Sequence, residues 1–177
     1  MRNIVYYVAS SLDGYIAGAD EDISTFVGEG TGVEKYLSDL QSFDTVIMGR
    51  RTYEFGYKFG LKPGQLAYPH MEHHIFSKSL KLNNADPKLH VHPPKLDIIE
   101  ALKQNEGTDI YLCGGGVFAG WLLENEMIDI LKIKLNPITL GDGTPLFGNV
   151  RKQTQNELTE LQEFDHGLII LTYKIGY

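Results

Sequence analysis

Short runs of apolar residues, rich in β-branched and aromatic side chains, recur along most of the chain. Runs of this length and composition predict buried strands. They cover residues 3–10, 45–49, 73–77, 89–92, the first part of 109–116, and 128–138. Between them, apolar residues spaced three or four positions apart predict helices over 33–43, 96–107 and 117–127, and a short helix that begins at residue 51.

The C-terminal part of the chain is dominated by strands. Residues 156–177 predict two strands joined by a hairpin turn at the Asp-His-Gly sequence of residues 165–167, and residues 11–22 predict a loop. Strands that first alternate with helices and then predominate are typical of an α/β domain. We therefore expect one domain over residues 1–177, with a mainly parallel central sheet, flanking helices and an antiparallel C-terminal edge hairpin.

The composition of the chain limits the kinds of molecule that we expect it to bind. The chain has 177 residues, enough for a sizeable core, and a formal net charge of −7, which argues against a broad nucleic-acid or anionic-membrane surface. The single cysteine allows no intrachain disulfide. There is no apolar run of about 20 residues, and residues 1–18 lack the pattern of a signal peptide. We expect a cytoplasmic protein with a small-molecule ligand, and neither a nucleic-acid nor a membrane partner.

The most informative local pattern is "YLCGGGVFA", in which a strand leads through Gly114, Gly115 and Gly116 into a helix. Glycines let a backbone approach an anion closely, and the first amides and the dipole of a helix favour negative charge. The pattern fits the dinucleotide fingerprint G-x-G-x-x-A, but it lies past the middle of the chain and the next strand does not end in an acidic residue. The local sequence leaves two interpretations of these glycines: they bind a phosphate, or they form a turn that needs glycine for packing.

A second junction between a strand and a helix carries Gly49, Arg50, Arg51 and Thr52. Glycine permits a close approach, a planar guanidinium group can donate two hydrogen bonds to a phosphate, and the threonine can cap the helix or bind an anion. The alternative is a pair of solvated arginines beside an N-cap threonine, and the local sequence does not decide between the two.

A third strand ends at Ser77 and Lys78, in a stretch that by itself predicts only a loop. The carboxyl ends of parallel strands share one edge of the sheet, where open α/β folds bind their ligands. Three such ends with anion-binding groups favour a ligand with several phosphates, such as a dinucleotide.

A histidine-rich stretch, residues 70–74, raises the alternative of a metal site. His70 and His74 have i,i+4 spacing with Glu72 between them, but this is not the H-E-x-x-H motif and no third ligand is evident nearby. We interpret the stretch as a solvated turn that leads into a strand, and we expect no metal. Cys113 is interpreted as a small buried residue, because the sequence suggests no partner for a nucleophile.

Five stretches of the chain, taken in order, resemble the dihydrofolate-reductase-like fold. The resemblance is to the branch that contains the C-terminal reductase domain of bacterial riboflavin biosynthesis. The stretches are "VASSLDGYIAG", "DTVIMGRRTYE", "HIFSKSL", "DIYLCGGGVFAGWLLEN" and "LNPITLGDGTPLF". They extend over nearly the whole chain and keep the order of the motifs, which makes the set specific although no single stretch would be.

This resemblance implies NADPH as the cofactor. Arg50, Arg51 and Thr52, in the turn opened by Gly49, would hold the side of the 2′-phosphate. Ser77 and Lys78 would lie opposite them. The residues implied to line the pyrophosphate are Gly114, Gly115, Gly116, Val117 and Phe118. Two arginines also favour NADPH over NADH, because the additional phosphate requires a cationic partner.

Other parts of the cofactor and substrate sites also follow from the resemblance. Gly115 would be joined to a neighbouring glycine by a cis peptide, and Ala9 and Ile16 would face the nicotinamide carboxamide. Asp13 is assigned as a substrate contact, with a turn-forming aspartate before a glycine as the alternative. Thr144 is a second candidate for the substrate pocket.

The implied activity is hydride transfer from NADPH to a C=N or C=O carbon of a small heterocycle, as in the phosphoribosylaminouracil reductase of riboflavin biosynthesis. No residue is assigned as the proton donor. One alternative is a non-catalytic NADPH-binding or sensor protein on the same fold. Another is a dihydrofolate-reductase-like enzyme, although Glu29 and Glu34, the candidates for its acidic residue, fall in no matching motif. The resemblance also implies a homodimer.

Overall fold

The computed structural model, which describes residues 1–177, contains ten strands, four α-helices and three short 3-10 helices. The strands are β1 (Ile4–Ser10), β2 (Tyr15–Ala17), β3 (Thr45–Gly49), β4 (Glu72–Phe76), β5 (Leu89–His92), β6 (Ile110–Gly114), β7 (Ile130–Leu135), β8 (Thr144–Pro145), β9 (Gln155–Glu163) and β10 (Ile169–Gly176). The helices are α1 (Thr31–Leu40), α2 (Arg50–Phe55), α3 (Leu96–Gln104) and α4 (Gly116–Glu124). None of the helices is long and apolar enough to cross a membrane.

Eight of the strands form the central sheet, in the order β5-β4-β3-β6-β1-β7-β10-β9. The first six strands in this order, β5, β4, β3, β6, β1 and β7, run parallel to one another. Strand β10 pairs antiparallel with both β7 and β9. The predicted α/β class, with a mainly parallel sheet and an antiparallel C-terminal hairpin, is therefore confirmed.

Helices cover both faces of this sheet. Helices α3 and α4 pack on one face through a core that includes Ile99 and Leu122. Helices α1 and α2 pack on the other face through a core that includes Leu40 and Tyr53. Successive residues of β1 alternate between these two cores. A strand that is buried on both faces needs apolar residues at every position, which explains its uninterrupted apolar run.

Helix α1 begins at Thr31, two residues earlier than the sequence pattern predicts. The turn between β9 and β10 supplies its cap: the Asp165 carboxylate accepts hydrogen bonds from the backbone amide of Thr31, at 2.9 Å, and from its hydroxyl, at 2.8 Å. These bonds lower the pKa of Asp165 below its ordinary value. Because the capping residue lies far away in the sequence, the local pattern could not reveal it.

A small second sheet lies within two segments that have no strand pattern. Strand β2 pairs antiparallel with β8, with Tyr15 opposite Pro145 and Ala17 opposite Thr144. The prediction of a loop throughout residues 11–22 was therefore wrong at β2. The two strands have only three and two residues, too few for apolar and polar positions to alternate visibly. Their pairing joins the loop after β1 to the loop after β7.

Replacing Leu122 by alanine is expected to lower the free energy of unfolding by about 2–5 kcal/mol, because its fully buried side chain would leave a cavity between α4 and the sheet. The matched control is Leu37→Ala on α1, where the side chain is 55% exposed and a change below about 0.5 kcal/mol is expected. Urea unfolding followed by circular dichroism measures both variants. Equal losses in the two would contradict this description of the core.

Candidate active site

Three turns meet at the carboxyl ends of neighbouring strands. Residues 49–52, the arginine turn, follow β3; residues 77–80, the serine turn, follow β4; and residues 114–118, the glycine turn, connect β6 to α4. Strand β3 lies between the other two, with Gly49 opposite Phe76 of β4 and Met48 opposite Gly114 of β6. The sheet therefore brings the three predicted anion-binding stretches side by side, with the arginine turn in the middle.

In the glycine turn, the peptide bond between Gly114 and Gly115 is cis. This agrees with the cis bond that the family resemblance implied at Gly115. Gly114 has φ +125°, a conformation that favours glycine. Helix α4 begins at Gly116, and Val117 in its first turn is 74% exposed. The amides of that first turn have no partner inside the helix and are suited to bind an anion.

Packing also requires glycine in this turn. A Cβ atom at Gly116 would lie 2.3 Å from the carbonyl oxygen of Pro145 in β8, and one at Gly115 would lie 3.0 Å from the Thr52 hydroxyl oxygen. The first contact shows that the packing interpretation holds for Gly116. The second places the arginine turn directly against the glycine turn, so the two form one continuous surface.

Arg50 links the arginine turn to the serine turn. Its Nη1 atom donates a hydrogen bond to Oγ of Ser79 at 3.0 Å, and its Nε atom pairs with Oε1 of Glu54 at 2.7 Å. Arg51 is 81% exposed in its side chain and lies 3.5 Å from Glu21 in the turn after β2. Both guanidinium groups therefore lie at the surface beside the strand ends, where each has an exposed or partly exposed carboxylate neighbour.

Thr52 does not cap helix α2, which was one of the two roles suggested for it. The N-cap position is Gly49, no side chain caps the helix, and Thr52 lies in the first turn. Its hydroxyl oxygen instead lies next to Gly115. This position leaves the other suggested role, contact with an anion, as a prediction.

The serine turn is ordered by one of its own side chains. The Ser77 hydroxyl oxygen accepts hydrogen bonds from the amides of Ser79, at 3.2 Å, and Leu80, at 3.0 Å. Lys78 is exposed and forms no ion pair. The sequence pointed to Ser77 and Lys78 but not to Ser79, the residue that contacts Arg50. The serine pattern of "FSKS" was the available signal, and choosing the right serine needed the spatial contact.

Asp13 connects the loop after β1 to the loop after β7 through hydrogen bonds. Its carboxylate accepts hydrogen bonds from the Ser11 hydroxyl at 2.5 Å and from the amides of Gly141 at 2.7 Å and Leu140 at 3.1 Å. The Ser11 bond and then the Gly141 amide are the main causes that lower the pKa of Asp13 to about 2. The side chain is therefore an anion at neutral pH and already has partners within the chain. Its assignment as a substrate contact stays a prediction.

The remaining predicted residues lie around the same strand ends. Ala9 is the penultimate residue of β1, Ile16 is in β2 and packs against the core on the α3 and α4 face, and Thr144 is in β8. Phe118 is buried and stacks on Phe76 at the end of β4, with ring centroids 5.0 Å apart. Glu29 and Glu34 are both exposed and accept no hydrogen bond, so neither reaches into the sheet.

A lysine that the sequence analysis did not consider lies on the α1 face. Lys134 is the fifth residue of β7, in the stretch "ILKIKL", and is only 7% exposed. It lies opposite Ala9 of the neighbouring strand β1. The alternation of lysine with apolar residues was the available signal, but alternation alone is also typical of a strand with one solvated face.

The histidines of residues 70–74 each have partners within the fold. His70 contacts the carbonyl oxygen of Leu40, and His73 is fully buried. His74 and His92 share a hydrogen bond of 2.8 Å between their rings, and burial is the main cause that lowers the pKa of His74 to about 3. No group of three or more His, Cys, Asp or Glu side chains is placed to hold a metal ion.

Solved structures of other proteins share this fold. A putative riboflavin biosynthesis protein from Shewanella sp. PV-4 superimposes with a TM-score of 0.81 at 26% identity, over 100% of both chains. A pyrimidine reductase-like protein from Corynebacterium diphtheriae superimposes with a TM-score of 0.73 at 18% identity, over 99% of this chain and 92% of that one. These neighbours share the predicted dihydrofolate-reductase-like fold.

A bifunctional deaminase and reductase from Thermotoga maritima has the same fold in one part of its chain. The TM-score is 0.72 at 14% identity, over 98% of this chain and 56% of that one. The comparison therefore concerns about half of the larger protein. At this identity it shows the fold alone.

The sequence profile of the RibD C-terminal domain matches residues 2–170, and the chain belongs to this family. Two proteins of Bacillus subtilis strain 168, both described as uncharacterized, are similar along nearly their whole length. YwjB is 30% identical over 166 residues, which cover 92% of each chain. YyaP is 23% identical over 183 residues, covering 97% of this chain and 94% of its own. The resemblance on which the sequence analysis relied is confirmed.

The structural role of Asp13 predicts a specific dependence of stability on pH. Its pKa in the folded protein, about 2, is below the ordinary value of 3.8, so its contribution is complete above about pH 4 and is lost as the pH falls toward 2. Asp13→Asn should therefore be less stable than the wild type at neutral pH, and the difference should shrink across this window. Thermal unfolding between pH 2 and about 7 measures this.

The control for this experiment is Glu100→Gln, which changes an exposed carboxylate on α3 that accepts no hydrogen bond. It should leave the difference from the wild type constant over the same pH range. A constant deficit in Asp13→Asn as well would contradict the assigned role of its charge.

Proposed function

We propose that the chain is an NADPH-dependent reductase. The observation that carries the proposal is the arrangement of three turns with anion-binding groups at adjacent strand ends, in a chain of the RibD C-terminal domain family. A dinucleotide phosphate has three phosphoryl groups to place, and the arginine, serine and glycine turns together offer guanidinium, hydroxyl and helix-amide donors.

The residues present fit the adenosine end of such a cofactor. Arg50 and Arg51 each have one carboxylate neighbour, but these pairs are exposed or partly exposed. An exposed ion pair contributes only about 0.2–1 kcal/mol to the stability of a protein. A phosphate dianion that accepts two charge-assisted hydrogen bonds is a better partner, so it would displace Glu54 and Glu21 at little cost. Lys78 has no ion pair to give up.

The glycine turn fits the pyrophosphate. The spaces that side chains would occupy at Gly115 and Gly116 are taken by Thr52 and Pro145, so these positions favour glycine. The first turn of α4 reaches the surface at Val117, the residue after them. Bound NADPH supplies a hydride from its nicotinamide ring. The residues of this chain would hold and orient it: Gly49, Arg50, Arg51 and Thr52 in one turn, Ser77 and Lys78 in the next, Gly114 through Phe118 in the third, and Ala9 and Ile16 at the nicotinamide.

For the substrate we propose a small heterocycle that is reduced at a C=N or C=O carbon. The reductase named for the Thermotoga maritima protein acts on 5-amino-6-(5-phosphoribosylamino)uracil. Glu29 and Glu34, the two candidates for the acidic residue of a folate reductase, are both exposed. The α1 carboxylate that does face the sheet, Asp39, is already paired with Lys132 at 2.7 Å. Both observations support this class over a folate. A non-catalytic NADPH-binding protein is distinguished by turnover: it would bind NADPH without oxidising it across a panel of pyrimidines and pteridines.

A homodimer is a further proposal. Strand β9 is an unpaired edge of the sheet, exposed along most of its length, and its Leu158 and Leu161 are about half exposed. Such an edge can pair with a second copy. Sedimentation velocity measures the assembly state, and a monomer at micromolar concentration would contradict the proposal.

Titration of the protein with NADPH and NADH by calorimetry tests the proposed cofactor. We expect NADPH to bind at least about tenfold more tightly than NADH, because one charge-assisted hydrogen bond to the additional phosphate is worth roughly 1.5–3 kcal/mol. The double variant Arg50→Ala, Arg51→Ala should lose most of this preference. Its binding of NADH should be little changed.

The matched control is Lys95→Ala, Lys174→Ala, which removes the same amount of charge from two exposed positions on α3's N-cap and on β10. It should keep the preference for NADPH. No NADPH binding up to millimolar concentration would refute the cofactor assignment. Full discrimination in the arginine double variant would refute the role of the arginine turn alone.

A further inference from the structure

Lys134 carries a buried charge without a carboxylate partner. Lys134 is 7% exposed, and no carboxylate oxygen lies within ion-pair distance of its Nζ atom. The one acceptor near Nζ is the carbonyl oxygen of Val27, at 3.5 Å. That distance is longer than an ordinary N–H···O hydrogen bond. Lysines are almost never this buried without a partner, since an unpaired charge costs much free energy to remove from water.

Lys132, two positions earlier on the same face of β7, differs from Lys134 because it has a carboxylate partner. Its Nζ atom lies 2.7 Å from Oδ2 of Asp39 on α1 and 4.7 Å from the centre of the Tyr7 ring. Asp39 also pairs with Lys35 and accepts a hydrogen bond from the Tyr7 hydroxyl at 3.1 Å. The carboxylate of α1 that faces β7 is thus fully engaged by these partners, and none is left for Lys134.

The surroundings of Lys134 are aromatic and amide groups. The Tyr36 ring of α1 lies 5.2 Å from Nζ, at the outer range of a cation–π contact. The Tyr36 hydroxyl is already bonded to the Tyr111 hydroxyl at 2.8 Å. With no compensating charge, burial lowers the pKa of Lys134 below its ordinary value. These groups reduce the free energy that burial of the ammonium costs, but none of them carries a charge that would neutralise it.

The position of Lys134 connects it to the proposed site. It lies opposite Ala9, the residue implied to face the nicotinamide, one residue before β7 ends. It is on the α1 face of the sheet, whereas Phe118 of the glycine turn packs into the opposite core. Val27, which covers Lys134, belongs to the connection before α1, where most residues from 23 to 29 are exposed. The segment that separates Lys134 from solvent is therefore a surface segment rather than part of the core.

We propose that the Lys134 ammonium binds an anionic oxygen of the substrate, so that the substrate is a small ring that carries a carboxylate or enolate-type oxygen. This inference rests on the proposed function for its place beside the nicotinamide. Asp39 on this face is paired with Lys132, so the charge that is left without a partner is the positive one of Lys134. A site with this charge selects ligands that present negative charge and rejects cationic rings.

A matched pair of ligands tests the proposal: uracil-6-carboxylate and uracil, titrated by calorimetry with and without saturating NADPH. The wild type should bind the carboxylate at least about tenfold more tightly, as expected for one charge-assisted hydrogen bond. Lys134→Met should lose this difference. The control Lys95→Met, at an exposed position without an ion pair, should keep it. Equal binding of the two ligands by the wild type, or no binding of either, would overturn the proposal.

A measurement on the wild type avoids any dependence on how well the variants fold. Reductive methylation followed by peptide mass spectrometry reports the reactivity of each lysine. Uracil-6-carboxylate should slow the methylation of Lys134 but not of Lys132 or of exposed lysines such as Lys95, and uracil should have no effect. Unchanged reactivity of Lys134 would overturn the proposal. Because both tests also run without NADPH, a failure of the cofactor assignment is seen separately.

Discussion

The parallel register of β4, β3, β6, β1 and β7 is the constraint on which the site depends. Because these strands run the same way and end at similar heights, their connections to the next elements leave from one edge of the sheet. That edge collects the serine, arginine and glycine turns next to one another. It also brings the end of β1 beside the end of β7, which places Ala9 opposite Lys134. A change of one residue in register would send these side chains to the other face.

The two sides of the proposed site use charge differently. On the cofactor side, Arg50 and Arg51 are at the surface and their carboxylate partners are exposed or partly exposed. Such pairs are weak and can be exchanged for a phosphate without a large loss. On the α1 side, the charge of Lys134 is buried and lacks a carboxylate. An unpaired charge in that environment is costly, which makes it a strong and selective group for a ligand of opposite charge.

Local patterns predicted most of the strands and helices, and they suggested the chemistry of the turns, which stays a prediction. The apolar run of β1 and the junctions at Gly49 and Gly114 depend on neighbours in the sequence, so the sequence alone was enough to recognise them. Longer-range features could not be recognised in this way. The order that sets β3 between β4 and β6, the cap of α1 by Asp165, and the contact of Arg50 with Ser79 all join residues far apart in the chain.

The two lysines of β7 illustrate this limit most clearly. Lys132 and Lys134 occupy equivalent positions in an alternating strand, and the sequence offers no reason to treat them differently. Only the placement of Asp39 on α1 separates them, because it pairs with Lys132 and leaves Lys134 without a carboxylate. The same holds for β2 and β8, which pair because two loops meet rather than because either has a strand pattern.

Hydrogen–deuterium exchange with and without NADPH tests most directly whether the three turns form one cofactor site. NADPH should slow exchange at the backbone amides of residues 49–52, 77–80 and 114–118 together, since one ligand would contact all three turns. The open depression lined by residues 64–66, 69 and 84–86 serves as an internal reference and should be unaffected. Protection confined to one turn, or located at that depression instead, would contradict the account.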